Sequence, residues 1–431
     1  MNSDLEPIHT AIYTNSDSRK RDFAHDLLQG RIPDALGFLM GKKGGYFSDA
    51  RLAAFIEAEA RYEHSGMGDA GEQSLKTRST GERKRALLDF LLKQKPDFIV
   101  LDDPFDNLDR AFQEELRQRL LDLSESVTLI QLVNRAADVL PCMQAFARLD
   151  GGKLVEFPDY KPVTESQDNI KKLSIPPAPS GAPELPAPPG APELPARDNP
   201  LVIMRDVRVE FSGKTAVTGI SWEIKPGDFW ELRGPNGSGK TTLISLITGD
   251  SPKAYGQDLH LFGRAKGSGE SVWEIKEHIG YFTPAMMDRF RGYHSLENML
   301  ISGLTDSIGL YIRPTENQQS LARQWLELLG LERSAGELLR NQSYGTQRLI
   351  FCARAMIKHP PLLILDEPTA GLDDHAARLV TQLIVKMARE SDTAIVFVSH
   401  REEPGLQADK LLELLPGPKG SSGKISMRSP G

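Results

Sequence analysis

Residues 342–373 read QSYGTQRLIFCARAMIKHPPLLILDEPTAGLD. A small-residue turn opens the stretch, and residues 346–359 then place Leu349, Ala353, Met356 and Ile357 on one helical face. LLILD (362–366) is a wholly apolar strand ending at Asp366, and Pro368 and Gly371 make a turn after it. A short strand apolar on both sides fits a mostly parallel sheet with helices on each face. RSTGERKRALLDFLLKQKPDFIVLDDPFDNLD (78–109) aligns to this stretch without a gap. The numbering differs by 264 at every matched position, from Ser79 and Ser343 through Asp102 and Asp366 to Asp109 and Asp373. A constant register with the same glycine, carboxylate and leucine pattern marks an internal duplication.

At 431 residues the chain is long enough for two such units. Composition shifts sharply between them, dividing the sequence into residues 1–160, a proline-rich linker at 161–199, and residues 200–431. The linker carries GAPELPA twice, at 181–187 and 190–196. Proline at that density predicts an extended spacer with little to bury, with a docking site for a proline-recognising module as the sharper alternative. A net charge of −7 offers no basic footprint, so no nucleic-acid partner is expected. No apolar run approaches the ~18 residues of a membrane span. The opening MNSDLEPIHT lacks the basic and apolar regions of a secretory leader, and the expected location is cytoplasmic. Cys142 and Cys352 fall in different halves without metal-ligand spacing, which fits reduced, packed thiols.

GPNGSGKTT at 234–242 matches G-x-x-x-x-G-K-[ST], with strand residues FWEL before it and an apolar helical pattern after it. In the loop Gly234, Pro235, Asn236, Gly237, Ser238 and Gly239 the three glycines would let the backbone fold into a phosphate-binding nest of N–H groups, extended by the helix N-terminus at Lys240, Thr241 and Thr242. Lys240 should reach the β- and γ-phosphates of ATP, and the Thr241 hydroxyl should ligate Mg²⁺. Asp366 is placed to bind Mg²⁺, and Glu367 to orient or deprotonate the attacking water. His400, ending the apolar strand AIVFVSH, would contact the γ-phosphate.

This order of motifs, with the signature-like turn SYGTQ (343–347) ahead of LLILDEP, resembles the ATP-binding cassette superfamily. The stretch DLHLFGRAKGSGESVWEIKEHIGYF (258–282) is similar to the ModF type of tandem cassette, associated with molybdenum transport and also called photorepair protein PhrA. The resemblance implies two P-loop NTPase cassettes of α/β fold, the first abbreviated, hydrolysing ATP with Mg²⁺. It implies head-to-tail pairing within the chain, with Ser79 and Gly81 completing the site of the second half, and Phe211 stacking on adenine (an ordinary strand-core residue is the alternative). It also implies a separate membrane permease as partner, which would bring the protein to the inner face of the plasma membrane.

The first half departs from this pattern. Its only P-loop candidate, YTNSDSRKRDFAHDLLQG (13–30), has Ser, Asp and Arg where glycines belong, so the nest should be strained, and Asp17 should repel a phosphate. Asp103 stands for the catalytic glutamate and Arg135 for the histidine, aligning LVNR with FVSH. Lys20 lies 59 residues before Ser79, against 103 from Lys240 to Ser343, so material is missing, including the antiparallel strands. Thr283-Pro284 occupy the place of a loop glutamine that couples nucleotide to a permease. Two functions therefore compete: the ATPase component of a transporter, with molybdate as cargo by resemblance, or a soluble cassette ATPase acting on a cytosolic partner.

Overall fold

A computed structural model describes residues 8–15, 18–62, 74–75, 78–106, 108–156, 184–189 and 198–428. Contacts divide the chain into two compact units, Met1–Gln167 with Gly371–Asp374, and Asp168–Ala370 with His375–Gly431. Asp17 lies outside the described residues.

The first unit is a six-stranded sheet of β1 (Thr10–Tyr13), β2 (Gly44–Phe47), β3 (Phe98–Asp102), β4 (Thr128–Val133), β5 (Ala145–Asp150) and β6 (Lys153–Glu156), in the order β2-β3-β4-β1-β5-β6. Its helices are α1 (Lys20–Leu28), α2 (Asp49–Tyr62), α3 (Thr80–Lys93) and α4 (Arg110–Ser124). All pairings are parallel except the closing β5–β6 hairpin. Residues 98–101 are fully buried, as an apolar strand covered on both faces should be.

The second unit contains two sheets. A four-stranded antiparallel sheet holds β7 (Val202–Phe211), β8 (Lys214–Ile224), β10 (Asp258–Leu261) and β11 (Arg264–Ala265). The main sheet holds β9 (Phe229–Arg233), β12 (Ile279–Phe282), β13 (Leu362–Asp366), β14 (Ala394–Ser399), β15 (Lys410–Leu415) and β16 (Ser422–Met427). Its order, β12-β13-β14-β9-β15-β16, repeats that of the first unit strand for strand. The helices are α5 (Lys240–Ile247), α6 (Val272–Glu277), α7 (Pro284–Arg289), α8 (Leu296–Ile301), α9 (Glu316–Leu328), α10 (Tyr344–Met356) and α11 (Asp374–Glu390). α10 is buried well beyond the single face its sequence suggests, with Arg348, Ile350, Phe351 and Cys352 all inside. Burial pushes the Cys352 thiol up to about 12, so it packs as an apolar group.

The duplication is thus a property of the fold, and the described part of the first unit has no counterpart of the β7-β8-β10-β11 sheet. Strand register also corrects one alignment. Asp102 pairs with Leu132 and Asp366 with Val398, so the position matching His400 is Asn134, and Arg135 matches Arg401. The offset grows from 264 to 266 because α11 has 17 residues against 15 in α4.

The linker corrects another expectation. Within 184–189, Leu185 is only 8% exposed and Pro186 is buried, so this part of the spacer packs against the second unit.

Candidate active site

Parallel strands bring three sequence-distant pieces to one edge. β14 lies between β13 and β9, so the C-terminal ends of all three strands are neighbours and present Asp366, His400 and the loop after Arg233 together. Open α/β sheets bind ligands at such an edge.

The loop 234–239 runs from β9 into α5, and Gly239 at φ 97° turns the chain into the helix. A Cβ there would come within 2.4 Å of Val217 Cγ1, so only glycine satisfies both the backbone angle and the contact. No side chain caps the start of α5, leaving its first-turn N–H groups directed at the loop. Lys240 is buried, and its Nζ donates to Gly234 O at 2.6 Å and Pro235 O at 3.1 Å, which holds the ammonium inside the nest.

Glu367 adopts φ 47°, with its N–H donating to Val398 O at 3.0 Å. That left-handed kink directs its carboxylate back toward β14, where Oε1 lies 3.0 Å from His400 Nδ1. Burial alone would raise Glu367, but His400, Lys240 and Arg401 outweigh it and hold the carboxyl below its ordinary range. Asp366 goes the other way. Burial and the neighbouring Glu367 charge push it up to about 6 despite Lys240. A raised carboxylate beside a buried lysine and an uncapped helix end fits a group that brings both phosphate oxygens and a cation. Thr241, the expected second Mg²⁺ ligand, is in the first turn of α5, and Thr242 follows it half-buried.

Phe211 ends β7 at 45% exposure, with Lys253 Nζ 6.0 Å from its ring centroid. The exposed ring is not a core residue. The antiparallel sheet that carries it also supplies Val217 against the P-loop. Thr283 precedes α7, and Pro284 takes its first position, as a helix-starting proline does.

Ser79 and Gly81 belong to the first unit. Ser79 caps α3 in a capping box with Glu82: Ser79 Oγ accepts from the Glu82 N–H, and the Glu82 carboxylate accepts from the Ser79 N–H. A Cβ on Gly81 would lie 2.4 Å from the Phe112 ring, and one on Gly345 would lie 2.6 Å from Ala376 Cβ. Phe112 and Ala376 are themselves 264 apart, so the signature glycines of both copies meet the same position of the following helix.

A further pair escaped the motif reading. Lys84 and Arg348, also 264 apart, are both buried cations. Lys84 Nζ donates to Pro104 O and Asp106 O, and Arg348 donates to Glu367 O at 3.1 Å and Ala370 O at 3.0 Å. Each fastens the turn that follows its carboxylates. The shared offset was the available signal, since both copies place a basic residue at this matched position of the helix. Glu403, buried, accepts from Thr369 Oγ1 at 2.7 Å and so ties the loop after His400 to the turn after Glu367.

The sequence profile described as ABC transporter matches residues 217–370, the stretch from β8 through the Asp366–Glu367 turn. The ABC transporter ATP-binding protein ModF of Escherichia coli (strain K12) is 38% identical over 336 residues, covering 77% of this chain and 68% of that protein. The chain belongs to the ABC ATP-binding protein family. An uncharacterised ABC transporter ATP-binding protein of Schizosaccharomyces pombe is 29% identical over 77% of this chain and 66% of its own length. Among solved structures, a nucleotide-free ATP-binding cassette from an ABC transporter matches at 22% identity and TM-score 0.45, covering 54% of this chain and 92% of that one. By the family membership shown by the ModF match the chain is an ABC-type ATPase, and its own sheets and helices form α/β cassettes. Among the described residues no helix is long and apolar enough to cross a membrane.

Proposed function

We propose that this chain hydrolyses MgATP at one complete site, built on the P-loop of the second unit and closed by the signature Ser79 and Gly81 of the first. The observation that carries this reading is the Glu367–His400 contact of 3.0 Å, at the edge where Lys240 and the uncapped end of α5 lie. The loop N–H groups, Lys240 and the α5 N-terminus hold the phosphates. Thr241 and Asp366 would hold magnesium, which when bound would supply positive charge against the phosphate oxygens. Glu367, kept ionised and oriented by His400, positions water and accepts its proton. Phe211 offers its exposed face to the adenine.

Glu367→Gln keeps the size and loses the base. It should bind ATP as tightly as the parent and turn over at least ~10²-fold more slowly. Undiminished turnover would remove Glu367 from the mechanism.

The output we favour is the ATPase component of a transporter whose permease is a separate chain, with molybdate as the cargo suggested by similarity to ModF. One observation favours the alternative, a soluble ATPase acting on a cytosolic partner. The helix-initiating Pro284 stands where a glutamine would couple nucleotide to a permease. Recovery of the Glu367→Gln protein from gently solubilised cells separates them: a co-purifying permease supports transport, and soluble partners alone support the alternative.

A further inference from the structure

The described piece of the linker is seated in the second unit by three contacts. Leu185 is buried, its N–H donates to Glu390 Oε2 at 3.1 Å, and Pro186 O lies 2.8 Å from His359 Nε2. A carbonyl only accepts, so His359 Nε2 carries the proton and donates. His359 follows α10 and Glu390 ends α11, so the seat is formed where these two helices stop. Lys386, one turn earlier on α11, pairs with Glu390 and holds its carboxylate in place.

The seat reads a short, definable pattern. It takes one leucine side chain, the N–H of that leucine and the carbonyl of the next residue. Proline at the second position has no N–H to leave unpaired in a half-buried groove and fixes φ near the extended value, so little ordering entropy is lost on seating. Glu184, just before, is exposed.

GAPELPA occurs twice, at 181–187 and 190–196, and the second copy presents the same Leu-Pro pair at Leu194 and Pro195. We propose that this groove is a peptide site for the Leu-Pro pattern and that Leu194 and Pro195 are its second occupant, exchanging with Leu185 and Pro186. The second copy is within reach. Leu201, seven residues past Leu194, donates its N–H to Ile224 O at 2.7 Å, and Gly227 donates to Asp392 O at 2.7 Å, two residues from Glu390. The body of the unit therefore begins close to the groove, and seven extended residues span up to ~23 Å.

Exchange moves nine residues from one side of the seat to the other. At ~3.1 Å per residue of extended proline-rich chain, the tether leading back to the first unit lengthens or shortens by about 28 Å. Tether length sets the effective concentration of one linked module for the other, so, resting on the intrachain pairing proposed above, the two registers give that pairing two strengths.

The test uses the full chain with ¹³C-labelled histidine, reading the ring signals of His359, assigned with His359→Gln. Leu185→Asp and Leu194→Asp, each alone, should leave the His359 signal at its seated position, because the intact copy occupies the groove. The double variant should move it to that of a water-exposed imidazole, and the free heptapeptide GAPELPA should then restore it. If Leu185→Asp alone gives the spectrum of the double variant, the second copy does not seat. If the double variant keeps the seated signal, the groove does not recognise leucine. Either result overturns the proposal.

Discussion

Lys20 Nζ lies 2.8 Å from Asp102 Oδ1 and also pairs with Asp103. The lysine that opens α1 is thus bound by the carboxylates of its own unit. Arg19 before it holds φ 51°, a left-handed angle where Gly239 serves in the second copy, at a cost of about 1–2 kcal/mol. The cation at the position matching Lys240 is taken up by Asp102 and Asp103. Burial pushes Asp103 up to about 7 even against Lys20, and Asn134 adds hydrogen bonds at 2.9 and 2.7 Å. Burial works against the charge on Lys20, but Asp103 and Asp102 raise it above the ordinary lysine value.

Lys20→Met should therefore destabilise the first unit, by about 3 kcal/mol, because it leaves two buried carboxylates facing each other. Denaturant unfolding measures this, and adding Asp103→Asn should recover part of the loss. ATP affinity of the second unit should not change. An unaltered unfolding midpoint in Lys20→Met would show that the pair is incidental.

Gly81→Ala should lower the stability of the first unit by about 2 kcal/mol through contact with the Phe112 ring, as overpacking in a closed site does. Phe112→Leu in the same chain should return most of it, and a double-mutant cycle in thermal unfolding reads the coupling. Additive effects would mean that the ring yields without cost.

The raised Asp366 gives a pH dependence with a definite sign. A carboxyl moved from 3.8 to about 6 carries a proton below about pH 6, and that proton competes with a cation. MgATP affinity should thus fall on acidification from pH 7 to 5, approaching ~10-fold per unit below the titration point. Asp366→Asn should bind weakly with a profile lacking this component. The same shift means that the ligand-free fold loses stability from this group as pH rises from about 4 to 6. Parallel binding profiles for parent and variant would refute the assignment.

Arg348→Met should lower stability by about 3 kcal/mol, since two buried carbonyls lose a charged donor. It should also slow turnover, because Glu367 O is one of the two and the kink at Glu367 aims its carboxylate at His400. Arg348→Lys, copying the Lys84 solution of the other unit, should recover part of both. Stability loss with unchanged turnover would confine Arg348 to a packing role.

The local pattern of the chain determined a great deal. A glycine-rich turn between an apolar strand and an apolar helix has few other conformations, and a fully apolar strand ending in two carboxylates belongs in the middle of a parallel sheet. Hence the glycine-rich turn, the Asp366–Glu367 edge, the duplication and the absence of an antiparallel sheet among the described residues of the first unit were all readable, because each rests on residues close in sequence or on a repeated offset. Tertiary structure decided what depends on distant partners. Only strand pairing shows that Asn134, not Arg135, answers to His400, because a two-residue difference within a helix is invisible until both ends are fixed by a sheet. Only packing shows that Gly81 yields space to Phe112, that Lys20 is taken by carboxylates over 80 residues away, and that Leu185 of the expected free spacer is buried. Composition predicts how a segment behaves alone in water, whereas burial depends on whether a complementary surface is within reach.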